Sequence, residues 1–92
     1  MQIKILLFAT LRDRAGARSL ELDLPSGTTV GGLKVKVASD FPKLRESMST
    51  VLIALNREYA FDEAVVPEGA EVAMFPPVSG GASELIVPAS IA

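Results

Sequence analysis

At the start of the chain, apolar residues fall on every second position. Ile3, Ile5 and Leu7 mark one face of a strand predicted over residues 2–10, and Gln2 and Lys4 open the other face. That second face turns apolar at Leu6 and Phe8. Phe8 therefore has two readings: burial on both sides of the strand, or an apolar patch that meets a partner. Residues 11–18 carry mixed charges and Gly16, and read as a loop or short turn. Leu20, Leu22 and Leu24 then alternate with Ser19, Glu21 and Asp23, which predicts a strand with one buried and one wet face. Pro25-Ser26-Gly27 ends it, and the short connection makes the two strands an antiparallel hairpin.

The period then changes. Thr28 or Thr29 can cap a helix in which Val30, Leu33, Val37 and Phe41 form one apolar stripe. Pro42 disfavours helix at Phe41 and ends it there; residues 43–49 add a short turn. Gly31-Gly32 is not a phosphate loop, because no Gly-Lys-Ser or Gly-Lys-Thr follows. Val51, Ile53 and Leu55 predict a strand over residues 51–56, and Asn56-Arg57 turns into a shorter strand over residues 59–61. After the Pro67-Glu68-Gly69 turn, residues 71–75 form the last strand, with Val72 and Met74 on one side and Ala73 and Phe75 on the other. Pro76-Pro77 terminates it, since proline cannot donate to a ladder. This order is an α+β layout, a mixed sheet packed on one main helix. A right-handed crossover from the hairpin to a later strand makes it a β-grasp, ubiquitin-like fold. A ferredoxin-like fold would need a second full helix.

Charge and composition remove whole classes of function. Nine basic and eleven acidic residues leave a net charge of −2, and no basic run serves nucleic acid or an anionic membrane. Cysteine, histidine and tryptophan are absent. Zinc sites, Ser-His-Asp triads and Cys-His dyads are thus excluded within this chain, no metal is expected, and any reacting group is unusual or a partner's. The apolar runs fall short of the roughly 18–20 residues a membrane-spanning helix needs. The opening residues imitate a signal peptide, with Ala15-Gly16-Ala17 as its cleavage site. Lys4 within the apolar stretch and Arg12, Asp13 and Arg14 after it oppose that reading, so a cytoplasmic location is expected.

At the far end, Phe75-Pro76-Pro77-Val78-Ser79-Gly80-Gly81 puts two glycines directly after the last core strand. This run resembles the MoaD-like family, the sulfur-carrying small subunits of molybdopterin synthase. The likeness extends over residues 3–81. Leu7-Phe8-Ala9-Thr10-Leu11-Arg12-Asp13 with Gly16 looks like the family's opening strand and loop. Leu24-Pro25-Ser26-Gly27-Thr28-Thr29-Val30 looks like its strand-to-helix junction, Ile53-Ala54-Leu55-Asn56 like its strand end, and Pro67-Glu68-Gly69-Ala70-Glu71-Val72 like its last turn.

The physical chemistry of such a tail is simple. Two residues without a Cβ let backbone pass through a narrow channel, and Pro76-Pro77 keeps the base of the tail extended. The resemblance implies that Gly81, preceded by Gly80, carries the reacting carboxyl carbon. A MoeB-like adenylating enzyme, related to those of ubiquitin systems, would use ATP to form an acyl-adenylate there. A sulfur donor would convert it to a thiocarboxylate, which would enter a MoaE-like large subunit and attack cyclic pyranopterin monophosphate. The chain would be a sulfur-donor subunit without catalytic side chains or a bound cofactor of its own, in an assembly of two small and two large subunits. Phe8 and Phe75 match positions in the family's apolar partner contact. Leu6 and Met74 extend that patch, the tail residues Pro76, Pro77, Val78 and Ser79 follow it into the partner, and Arg12 is either an interface charge or a solvated one.

The family normally ends at the second glycine, whereas Ala82 follows Gly81 here. Residues 1–81 read as the carrier domain and residues 82–92 as an extension. The extension is a cleavable tail, a linker to a fused large subunit, or the mark of a paralogue without the chemistry. Its Leu85-Ile86-Val87 can pair as a strand or dock on a partner. Two other functions remain open: a sulfur carrier for thiamin or transfer-RNA thiolation or for protein conjugation, and a plain β-grasp interaction module with Gly80-Gly81 as a hinge.

Overall fold

The alternation at Ile3, Ile5 and Leu7 becomes strand β1, Gln2–Leu7, in a computed structural model that describes residues 1–77. All three side chains are at most 2% exposed. Ile3 lies opposite Leu22 and Ile5 opposite Leu20 of the antiparallel strand β2, Ser19–Asp23, so both alternating sets share one face. The last strand of the chain takes the other side of β1. It is β5, Val72–Phe75, and it runs parallel to β1 with Ile5 opposite Val72 and Leu7 opposite Met74. Beyond β5 lies the antiparallel strand β3, Leu52–Leu55, and at the edge β4, Glu58–Ala60. The sheet order is β2-β1-β5-β3-β4.

One face of this sheet is covered by the long helix α2, Val30–Asp40, whose Val30, Leu33 and Val37 are fully buried. They meet Ile3, Ile5, Ile53, Val72 and Met74 in one core cluster. Burial of this apolar stripe, rather than helix propensity, holds α2 in place, because two glycines weaken its first turn. The architecture is the predicted β-grasp.

The glycine pair has a structural cause. The loop after β4 lies across the helix start, where Val30 N–H donates to the Ala64 carbonyl at 2.8 Å and Gly31 N–H to the Asp62 carbonyl at 3.0 Å. Thr29 is the cap, and its Oγ1 accepts from Gly32 N–H at 3.1 Å. A Cβ on Gly32 would sit 3.0 Å from the Thr28 methyl, and one on Gly31 3.4 Å from Asp62. The helix-start donors that could cradle an anion are already bonded within the chain.

Several elements depart from the pattern-based expectations. Strand β1 stops at Leu7 because Ala9 takes φ 53°, and residues Thr10–Ala15 form a short helix α1 where a loop is predicted. A helix of six residues shows no full apolar period; its one fully buried residue is Leu11, 1% exposed. Gly16 closes it at φ 71°, donating to the Arg12 carbonyl at 3.0 Å. Arg14 donates to Ser47 Oγ at 3.0 Å and ties α1 to the segment after α2. That segment forms two 3₁₀ turns, Pro42–Leu44 and Glu46–Ser49, which bury Leu44 and Met48. Strand β4 spans Glu58–Ala60 rather than residues 59–61, and leaves Phe61 outside the ladder.

Candidate functional site

A strand covered by a helix on one face must place its remaining residues on the other. Here the face opposite α2 is apolar where Leu6 of β1 and the out-of-phase residues of β5 and β3 lie side by side. Leu6 of β1 lies beside Ala73 of β5, Ala73 beside Ala54 of β3, and Phe75 beside Leu52. Leu6, Leu52, Ala73 and Phe75 are half-buried and Ala54 is buried. Phe8 extends the β1–β5 ladder by one bond, its N–H donating to the Met74 carbonyl at 3.2 Å. That bond sets Phe8 on Phe75, with ring centroids 4.7 Å apart and planes 10° from parallel. Phe8 remains 38% exposed. The two readings of Phe8 thus resolve toward the open patch, with one of its ring faces on Phe75.

The patch ends where the tail begins. Pro76 is half-buried and Pro77 exposed, and both follow Phe75 directly. Arg12 is exposed on α1, the element that β1 enters immediately after Phe8, and has no ion-pair partner among the described residues. Leu6 lies on the same face, half-buried beside Ala73.

Met74 does not. Its side chain is fully buried, because residues 72 and 74 point toward α2 while 73 and 75 point away. The prediction that Met74 extends the patch fails on the period-two rule itself. The residues that extend it instead are Leu52 and Ala73. A signal for both was present in the alternation, since each lies out of phase with its strand's core residues. Val78, Ser79, Gly80, Gly81 and the Leu85-Ile86-Val87 segment lie outside the described residues.

The patch can bind but holds no set of reacting groups. Its side chains are aliphatic or aromatic, and no group of three or more potential metal ligands forms among the described residues. No helix among them is long and apolar enough to cross a membrane. The arrangement is an apolar surface on the open face of the sheet, and Pro76 and Pro77 follow directly on its Phe75.

Comparison with known proteins places this arrangement. Residues 5–81 match the profile of the ThiS family. The molybdopterin synthase sulfur carrier subunit of Arabidopsis thaliana is 43% identical over 81 residues, covering 88% of this chain and 84% of the relative. The protein of the same name from Chlamydomonas reinhardtii is 39% identical over 83 residues, covering 88% of this chain and all of the relative. Among solved structures, SAMP1 from Haloferax volcanii superposes with a TM-score of 0.75 at 31% identity, covering 88% of this chain and 100% of that one.

Proposed function

This chain belongs to the ThiS family, and on that premise we propose that it is the sulfur-carrier subunit of a molybdopterin synthase. The observation that carries the reading is where the family match stops: it runs to Gly81, the second glycine of the pair. The names of the Arabidopsis and Chlamydomonas relatives support the same pathway.

In the proposed cycle, a carboxylate oxygen of Gly81 attacks the α-phosphorus of ATP on a MoeB-like adenylating enzyme, and pyrophosphate leaves. Hydrosulfide supplied by a sulfur donor displaces AMP from the acyl carbon and loses its proton, which leaves a thiocarboxylate on Gly81. The tail then enters a MoaE-like large subunit, where the sulfur attacks cyclic pyranopterin monophosphate. Water then hydrolyses the thioester so formed, which leaves the sulfur on the substrate and restores the Gly81 carboxylate, and two such deliveries build the dithiolene. General acids and bases come from the large subunit, which fits a chain without histidine or cysteine. The Phe8–Phe75 stack anchors the docked pair, with Leu6 and Leu52 around it, and Gly80-Gly81 allow the thin approach to the active site. The proposed assembly pairs two small with two large subunits, and the proposed compartment is the cytoplasm.

Gly81 is joined to Ala82 by a peptide bond, so adenylation requires that bond to be cut. On this reading residues 1–81 are the working carrier, and residues 82–92 are a removable tail or a linker to a fused large subunit. The test is the intact mass of the protein from its native host. The expected mass ends at Gly81, with one oxygen exchanged for sulfur in the charged form. A stable protein that retains residues 82–92, and releases no pyrophosphate with ATP and the adenylating enzyme, overturns the proposal.

A further inference from the structure

Strand β1 leads into a strained corner. Ala9 takes φ 53° and ψ −129°, a pairing that glycine adopts readily and a residue with a Cβ avoids. The two other non-glycine residues of positive φ among the described residues, Asn56 and Arg57, form the two-residue turn of the β3–β4 hairpin, where that sign is required. Ala9 is in no such turn. It is the first central residue of a type II′ turn over residues 8–11, closed by Leu11 N–H donating to the Phe8 carbonyl at 3.2 Å. Glycine is the ordinary residue at that place. Ala9 is exposed, so packing of its own methyl group does not offset the strain.

The neighbouring strand explains why the chain turns here. Phe8 N–H donates to the Met74 carbonyl, which carries the parallel β1–β5 ladder on from the Leu7–Met74 pair. In a parallel ladder the next bond runs from the N–H of residue 76 to the Phe8 carbonyl. Residue 76 is proline and has no N–H to give. The corner at Ala9 supplies the missing donor from the chain's own next turn, at Leu11. It also carries Leu11 into the core, where it is 1% exposed. The Ala9 carbonyl then accepts from Arg12 N–H at 3.1 Å and Asp13 N–H at 3.3 Å, which starts α1 without a side-chain cap.

What the corner fixes is Phe8. Its N–H is bonded to β5 and its carbonyl to α1, so both peptide groups that flank its Cα are held. An aromatic at an unheld strand end frays with the strand. Here the ring lies on Phe75.

We propose that Ala9 is a positioning residue of the docking surface: its strained corner locks the backbone of Phe8, so that the ring stays on Phe75 before a partner arrives. Stability is given up at residue 9, and a preordered contact is obtained at residue 8. The positioning of the ring stands on the geometry of this chain; the step from an ordered ring to tighter docking rests on the sulfur-carrier reading.

The test compares three forms of the full chain: the parent, Ala9→Gly, and a synthetic chain with D-alanine at position 9. The mirror image of the Ala9 conformation is ordinary extended backbone, so D-alanine takes the corner without strain and with little freedom to leave it. Glycine takes it without strain but is free to leave. In chemical denaturation the unfolding equilibrium is expected to shift toward the fold by about threefold or more in Ala9→Gly, and further with D-alanine. Ring order ranks differently. Contacts between the Phe8 and Phe75 rings and the amide order parameter of Phe8, read by NMR without any partner, weaken in Ala9→Gly and are retained with D-alanine. Affinity for the large subunit, by calorimetry, follows ring order: about three- to tenfold weaker in Ala9→Gly, and within about twofold of the parent with D-alanine. A purely structural role makes ring order and affinity follow stability, or leaves both unmoved. The proposal is overturned if neither variant is more stable than the parent, if Ala9→Gly keeps the parent's ring contacts or its affinity, or if D-alanine loosens the ring as glycine does. If the ring measurements rank as expected while the parent fails to bind the large subunit, the positioning role stands and the sulfur-carrier reading fails.

Discussion

The Phe8–Phe75 patch and the Tyr59–Phe61 edge use the same residue types and differ in how they are held. Phe8 and Phe75 come from the ends of β1 and β5, central strands each paired on both sides, and their rings lie flat on each other. Tyr59 and Phe61 belong to a three-residue edge strand and the loop beyond it. The first surface is therefore ordered before any partner arrives, and little side-chain entropy is lost on docking. It lies beside the arginine-bearing α1, whereas the second is rimmed by glutamates. The comparison shows that exposure alone does not rank a surface aromatic; strand position and neighbouring charge decide what it can recognise.

The largest effect separates two neighbours in one strand. Met74→Ala is expected to destabilise the fold by about 2–5 kcal/mol in chemical denaturation. Phe75→Ala should leave the fold standing and weaken binding to the large subunit by about thirtyfold, measured by calorimetry. If Phe75→Ala unfolds the chain instead, the patch is core and the contrast between the two surfaces collapses.

Next in size is the stacking itself. A double-mutant cycle over Phe8→Ala and Phe75→Ala, read in partner binding, should give a coupling of about 0.5–1.5 kcal/mol. Additive effects would mean that the two rings act separately in binding. At the edge, Arg57 occupies a left-handed position that glycine fills at lower cost, and its pair with Glu71 is solvent-exposed. Arg57→Gly is therefore expected to stabilise the chain by about 0.5–1 kcal/mol in thermal unfolding. A destabilised variant would show that the Arg57–Glu71 pair outweighs the turn geometry.

Smaller still, Phe61→Ala should change stability by no more than about 0.5 kcal/mol, because its ring lies outside the ladder. Desolvation against the sheet pushes the Tyr59 phenol above its ordinary 10.0. The fold favours the neutral phenol, so this contribution is intact below pH 10 and is lost as pH rises through the folded value. Phenolate absorbance, with one tyrosine in the chain, checks it directly; titration at or below 10.0 would place the ring fully in water.

Much of this was legible in the residues. Leu20, Leu22 and Leu24 predicted β2 and its buried face, and Val30, Leu33 and Val37 predicted the stripe of α2. Asn56 marked the β3–β4 turn, although its second role is non-local: its side chain accepts from Glu71 N–H at 2.9 Å and its N–H donates to the Glu71 carbonyl at 2.8 Å. Helix α1 was hidden because one buried leucine among charges has no period. Met74 was misassigned to the patch by its closeness to Phe75 along the chain, although adjacent strand residues face opposite ways.

By itself, the sequence determined which side of each strand is apolar and where the helix runs, because period two and the helical period are local properties of the backbone. It also determined which side chains are not at hand for any chemistry, since cysteine and histidine are absent from these 92 residues in any fold. Only the tertiary structure decided that β5 lies between β1 and β3. Strand order and register arise from pairing between distant segments, and no local pattern encodes them. That pairing lays Phe75 on Phe8, buries Met74 and leaves β4, with its aromatic and acidic side chains, at the open edge.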